Sequence, residues 1–131
     1  MTDVSCAVII DQNQNILVTQ RSATMPLPLK WEFPGGKIDE GETAEQSLLR
    51  EIKEELDISI LIVSALSPNI HQYGTKTIRL IPFVCRIVAG EITLHEHQEY
   101  RWLKPDELLS LDWAEADLPV VYEVLNPGHY K

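Results

Sequence analysis

The 131 residues suffice for one ordinary domain and leave no room for two, so residues 1–131 are read as a single unit. A hydrophobic share of 44%, a charged share of 24%, no apolar run of bilayer length and the opening Met1-Thr2-Asp3 point to a cytoplasmic globular protein without membrane contact. The net charge of −9 argues against long nucleic acid, which needs a basic face to displace counterions, but permits a small anion bridged to carboxylates by a divalent cation.

Along the chain, residues 4–10 and 16–21 are strand-like, and the polar stretch Asp11-Gln12-Asn13-Gln14-Asn15 between them predicts an antiparallel hairpin. Pro26 and Pro28 force a loop that runs into Trp31-Glu32-Phe33-Pro34-Gly35-Gly36. Thr43 with Gln46 forms a capping-box pattern, and a helix is expected from about 44 to 56. Residues 58–66 read as a strand, and the nearly unbroken apolar run 78–88 as a central strand buried on both faces. Short strands are expected at 91–94 and 100–103, a brief helix from Pro105, and a last helix capped by Asp117 and ending near Leu125. Cys6 and Cys85 sit in apolar segments without metal-ligand spacing and read as buried thiols. The class is α/β or α+β, a mixed sheet sandwiched between helices in three layers.

On a helical wheel of residues 44–56, Leu48, Leu49, Ile52 and Leu56 form the stripe that must face the sheet. Glu51, Glu54 and Glu55 gather on the adjacent arc. Three carboxylates so placed raise one another's pKa, and Arg50, four residues before Glu54, offsets only part of the repulsion. A hard divalent cation makes such a cluster favourable, although an acidic solvated helix face accounts for the glutamates equally well. The residues before the helix decide between the two. Gly36, Glu42, Arg50, Glu51, Glu54 and Glu55 keep the spacing G-x5-E-x7-R-E-x-x-E-E, with Ile52 as its aliphatic position.

This pattern resembles the Nudix box, and the run W-E-F-P-G-G-K-I-D-E-G-E-T resembles its MutT branch. One position departs: Asp57 stands where the family usually has the glycine that ends the helix in a left-handed conformation. The resemblance implies a loop–helix–loop holding magnesium, or manganese in its place, on Glu51, Glu54, Glu55 and a carbonyl of Gly35 or Gly36. It further implies a Glu42–Arg50 brace between loop and helix, with Glu51, Glu54, Glu96 and Arg50 as catalytic groups and Lys37 reaching phosphate. The implied reaction is hydrolysis of a nucleoside triphosphate to monophosphate and pyrophosphate.

In His95-Glu96-His97-Gln98-Glu99, two histidines at strand spacing raise a zinc reading, but no further Cys or His clusters nearby. The spacing E-x-Q-x-x-x-W from Glu96 to Trp102 resembles the MutT-like arrangement instead. That makes Glu96 an additional ligand or base, pointing away from both histidines. The combination of H-E-H-Q with A-D-L-P resembles the bacterial CTP pyrophosphohydrolases and 8-oxo-dGTP diphosphatase-like members of the branch. It implies Asp117 at the edge of a base pocket, where a plain helix cap is the simpler role. Arg21, Glu32, Tyr73 and Lys76 match other pocket positions. The alternatives are hydrolysis of ADP-ribose or a dinucleoside polyphosphate, and a non-catalytic nucleotide-binding module. A monomer or weak homodimer is expected.

Overall fold

A computed structural model describes residues 1–126. The first strand, β1 (Thr2–Ile9), ends in five successive buried residues, Ser5 to Ile9. A strand buried on both faces needs a layer on each side. β1 lies between β4 (Gly35–Lys37), antiparallel, and β7 (Lys76–Gly90), parallel, with Thr2 opposite Ile78 and Ile9 opposite Cys85. β5 (Ile58–Ala65) and β6 (Asn69–Tyr73) pair with the other edge of β7, both antiparallel, completing a mixed five-stranded sheet. β6 had no counterpart in the sequence reading. The 78–88 strand is found in the expected central place and extends further at both ends.

The hairpin expected between the first two strands does not form. After an isolated bridge between Ile10 and Ile16, β2 (Ile16–Gln20) enters a second, antiparallel sheet between β3 (Trp31–Glu32) and β8 (Glu99–Leu103). The Asp11 carboxylate accepts from the amides of Asn13 and Asn15, which closes the loop tightly. β2 is buried at four positions in a row, so it too must be covered on both faces and cannot form a sheet edge beside β1.

Alternation along these strands divides the interior. Ala7, Ile9 and Leu17 pack with Leu48, Ile52 and Leu56 of α1 (Ala44–Leu56), whereas Cys6, Val8, Ile16 and Val18 pack with Val120, Val121 and Val124 of α2 (Leu118–Val124). The sheets are thereby sandwiched between helices in three layers, as expected. α1 starts at the capping box: Thr43 Oγ1 accepts from the Gln46 amide, and Gln46 Oε1 from the Thr43 amide. It ends on Asp57 in the left-handed conformation, φ 61°.

Two expectations need correction. Leu49 is 44% exposed at the rim of the stripe, and Glu55 is buried beside Leu48, Ile52 and Leu56. Residues 91–94 form no strand; their backbone serves the end of α1, the Thr93 amide donating to the Leu56 carbonyl and the His95 amide to that of Glu55. Those carbonyls have no partner within the helix, so they compete successfully with a sheet ladder. The brief helix expected from Pro105 is present as a 3-10 helix, Pro105–Ser110.

Candidate active site

The loop after β3 and the first half of α1 are bound by one cation. Arg50 donates from Nε and Nη2 to the two oxygens of Glu42, at 2.8 and 2.9 Å, and from Nη1 to Glu51 Oε1 at 2.9 Å. Its remaining contacts are Asp39, Glu54 and the Lys37 carbonyl. A planar guanidinium can hold this many acceptors in one geometry. Hydrogen bonds from Arg50 and from the Asp39 amide hold the Glu42 carboxyl down to about 2, so Glu42 stays ionised. Behind this brace, β4 lies against β1 through glycine: a Cβ on Gly35 would stand 2.0 Å from the Ser5 carbonyl oxygen. A Cβ on Gly36 would stand 2.3 Å from Glu51 Oε2, so the absent side chain makes the space in which the Glu51 carboxylate rests.

Glu55 is only 2% exposed, and its Oε1 has no hydrogen-bond partner among the described residues. Burial, a hydrogen bond with Glu51 and the nearby charges of Glu32, Glu51 and Glu96 push its carboxyl up to about 10. Two carboxyl groups so close disfavour a second negative charge, an arrangement that a cation would relieve. The donors are all oxygen, as a hard divalent ion prefers. Glu54, by contrast, is 57% exposed and turned toward Arg50. Among the described residues no three His, Cys, Asp or Glu side chains stand close enough in this conformation to enclose an ion. The converging pair is Glu51 with Glu55.

Beside that pair opens a cavity of about 390 Å³, lined by Arg21, Glu32, Tyr73, Lys76 and Asp117, and at its acidic end by Gly35, Gly36, Glu55 and Glu96. Five of the six residues expected at a substrate are thus on one wall system; Lys37 is exposed outside it. Tyr73 also has a structural task, its hydroxyl accepting from the Ala116 amide at 2.8 Å. A larger hollow of about 810 Å³ beside Asp11 to Gln14, Arg86 and Trp102 contains none of these residues.

Asp117 does not cap α2. Its Oδ2 accepts from the Phe33 amide at 2.8 Å, and no side-chain cap bond exists at that helix start. The chain enters α2 through a 3-10 turn, Glu115–Asp117, which carries the carboxylate inward toward the loop after β3. Burial and the neighbouring Glu32 push its carboxyl well above the usual range, against the Phe33 hydrogen bond and Arg21.

His97 escaped the sequence reading as a site residue. Residues 95–97 are not a strand, so the two histidines do not share a face: His95 is exposed and the His97 side chain is 1% exposed. His97 Nε2 lies 2.8 Å from Glu32 Oε2, and Glu32 Oε1 lies 2.7 Å from Arg21. A histidine in a polar run reads as surface, and nothing in the local pattern distinguishes this one.

The family description NUDIX domain matches residues 1–124. A CTP pyrophosphohydrolase of Escherichia coli K12 is 33% identical over 115 residues, 88% of this chain and 85% of that protein. An 8-oxo-dGTP diphosphatase of Haemophilus influenzae is 32% identical over 126 residues, 96% of this chain and 93% of that one. The solution structure of a MutT protein of the Nudix hydrolase family from methicillin-resistant Staphylococcus aureus 252 is 38% identical, with a TM-score of 0.78 over 97% of each chain.

Proposed function

This chain belongs to the Nudix family, and we propose on that footing that it is a nucleoside triphosphate pyrophosphohydrolase, turning a (d)NTP and water into a (d)NMP and pyrophosphate. The observation that carries the reading is the adjacency of the 390 Å³ cavity to the Glu51–Glu55 pair. Its volume suits a nucleobase with part of its sugar, within the roughly 300–1,000 Å³ usual for small-molecule sites. A base seated against Glu32 and Asp117 directs its phosphate chain toward the carboxylates. Cytosine nucleotides, or oxidised and modified dNTPs such as 8-oxo-dGTP, are the substrates we favour, in the cytoplasm.

Nudix hydrolases use a divalent cation. We assign magnesium, or manganese in its place, to Glu51, Glu54, Glu55, Glu96 and the carbonyl of Gly35 or Gly36. When bound it neutralises the phosphate chain and favours attack by water on phosphorus. Arg50 keeps Glu51 and Glu42 in register with the loop, Lys37 offers a charge to the phosphates from outside the cavity, and Glu51, Glu54 and Glu96 are the carboxylates available to take the water's proton. Residues 1–131 act in this reading as one unit, of which the last five lie outside the described residues.

Two measurements test the proposal. A panel of nucleotides with magnesium should release pyrophosphate and monophosphate from one internal break; diphosphate with orthophosphate as primary products would overturn it. Glu54→Gln and Glu55→Gln keep shape and helix propensity but remove a charged donor, and each should lower turnover by orders of magnitude. Lys53→Gln, whose amine meets only Asp57 at 3.7 Å, should change it little.

A further inference from the structure

We infer that His97 is a specificity-determining positioning residue, which fixes the Glu32 carboxylate against the nucleobase from a place where it does not itself touch the chemistry. The inference rests on the proposed nucleotide reading and adds to it a residue that no box motif marks. Glu32 is gripped at both oxygens: Arg21 Nη1 at Oε1, 2.7 Å, and His97 Nε2 at Oε2, 2.8 Å. A carboxylate paired with a guanidinium only accepts, so the imidazole must present its N–H at Nε2. With two anchors the plane of the Glu32 carboxylate cannot turn, and the lone pairs left for a ligand have one direction. Arg21 alone, 18% exposed at its side chain, would allow rotation about the bond it grips.

The other side of the ring has a different neighbour. Among the described residues His97 Nδ1 is buried without a hydrogen-bond partner and stands 3.9 Å from the equally unpartnered Oε1 of Glu55. That separation is too long for a hydrogen bond. The ring is thus a spacer wedged between the carboxylate of the base cavity and the innermost carboxylate of α1, and it sets the distance from base to phosphate end.

A merely structural histidine would affect all substrates alike, whereas a positioning one changes their ranking. His97→Leu removes the donor, and His97→Gln retains an N–H able to reach Glu32. In the full-length chain with magnesium, the ratio of kcat/KM for CTP over 8-oxo-dGTP should change about tenfold in His97→Leu, as expected for misplacing one charge-assisted hydrogen bond. His97→Gln should restore most of the original ratio. Titration calorimetry of CMP in a chelator should show the same ranking of the three chains, independent of turnover. If His97→Leu does not fold, His97→Asn, too short to reach Glu32, takes its place with the same expectation. Equal loss on both substrates, or a ratio unchanged in a folded variant, overturns the inference. An unsubstituted chain that hydrolyses neither nucleotide removes the nucleotide reading and this inference with it, whereas one that hydrolyses both without preference leaves that reading standing and overturns this inference alone.

Discussion

Asp117 occupies two relationships at once, and their chemistry differs. Its Oδ2 is committed to the Phe33 amide, which leaves the second oxygen as the one a ligand can use. Ionised, that oxygen only accepts and suits an exocyclic amine such as cytosine N4; protonated, it donates and suits the O6 of an oxidised guanine. Because burial beside Glu32 raises the carboxyl, the protonated form persists above the usual carboxylate range, and rising pH converts donor to acceptor. Preference for amine-bearing bases over 8-oxo-dGTP should therefore increase with pH. In Asp117→Asn the oxygen can keep the Phe33 amide while the nitrogen donates permanently, so the CTP to 8-oxo-dGTP ratio should fall and lose its pH dependence. Rates on both substrates across pH check this, and an unaltered profile would place base choice elsewhere. The glutamates of α1 were legible from sequence because their spacing is local, set by 3.6 residues per turn. His97 was not, because its partner Glu32 and its neighbour Glu55 are brought to it by the fold rather than by the pattern around it.

At the scale of one element, α1 has a well-specified start and a compromised end. The capping box satisfies two amides at Thr43, and this was readable in the sequence. The end falls on Asp57 at φ 61°, a conformation that costs a side chain about 1 kcal/mol or more and glycine almost nothing. An anion at a helix C-terminus also opposes the macrodipole, and the exposed 3.7 Å contact with Lys53 offsets little. Asp57→Gly should raise the unfolding free energy in urea by about 0.5–1 kcal/mol, less than the strain relieved because glycine gains freedom in the unfolded chain. Turnover should be unaffected, since Asp57 lies outside the cavity lining. The segment after β7 alternates as a strand does, Glu91-Ile92-Thr93-Leu94, and Ile92 and Leu94 do pack inward. Only the destination of its amides, the last carbonyls of α1, distinguishes it from a strand, and sequence alternation does not report that.

For the molecule as a whole, the buried Glu55 carboxyl makes stability depend on pH. Glu55 is raised from the ordinary 4.5 of an unfolded glutamate to about 10, so between those values the folded chain holds a proton that the unfolded chain has released. Its contribution to stability is complete below about 4.5 and is lost as pH rises toward 10. In chelator the Tm should fall from pH 6 to pH 9, Glu55→Gln should flatten that slope, and magnesium should raise the Tm of the unsubstituted chain most at the alkaline end. Calorimetry with and without chelator checks all three. The three-layer class was foreseeable from alternating strands and helices, whereas the division of β1 and β2 between two sheets was not. Hairpin logic counts loop residues, but here burial on both faces of both strands outweighed proximity in the chain.

The parallel pairing of β1 with β7 has a consequence for how the chain is made. Residues 2–9 leave the ribosome well before the strand they need, residues 78–85, which follows some seventy positions later. At about 5–20 residues per second, the wait is roughly 4–15 s. During that interval Cys6, Ala7, Val8 and Ile9, which end with 2% exposure or less, have no β7 to cover them. α1 is synthesised within the same interval and can form its capped turns, but the face carrying Leu48, Ile52 and Leu56 has no completed sheet to land on. The nascent chain is therefore most open to chaperone capture or aggregation before residues 78–85 are available, and α1 reaches its place only after residue 85 has left the exit tunnel.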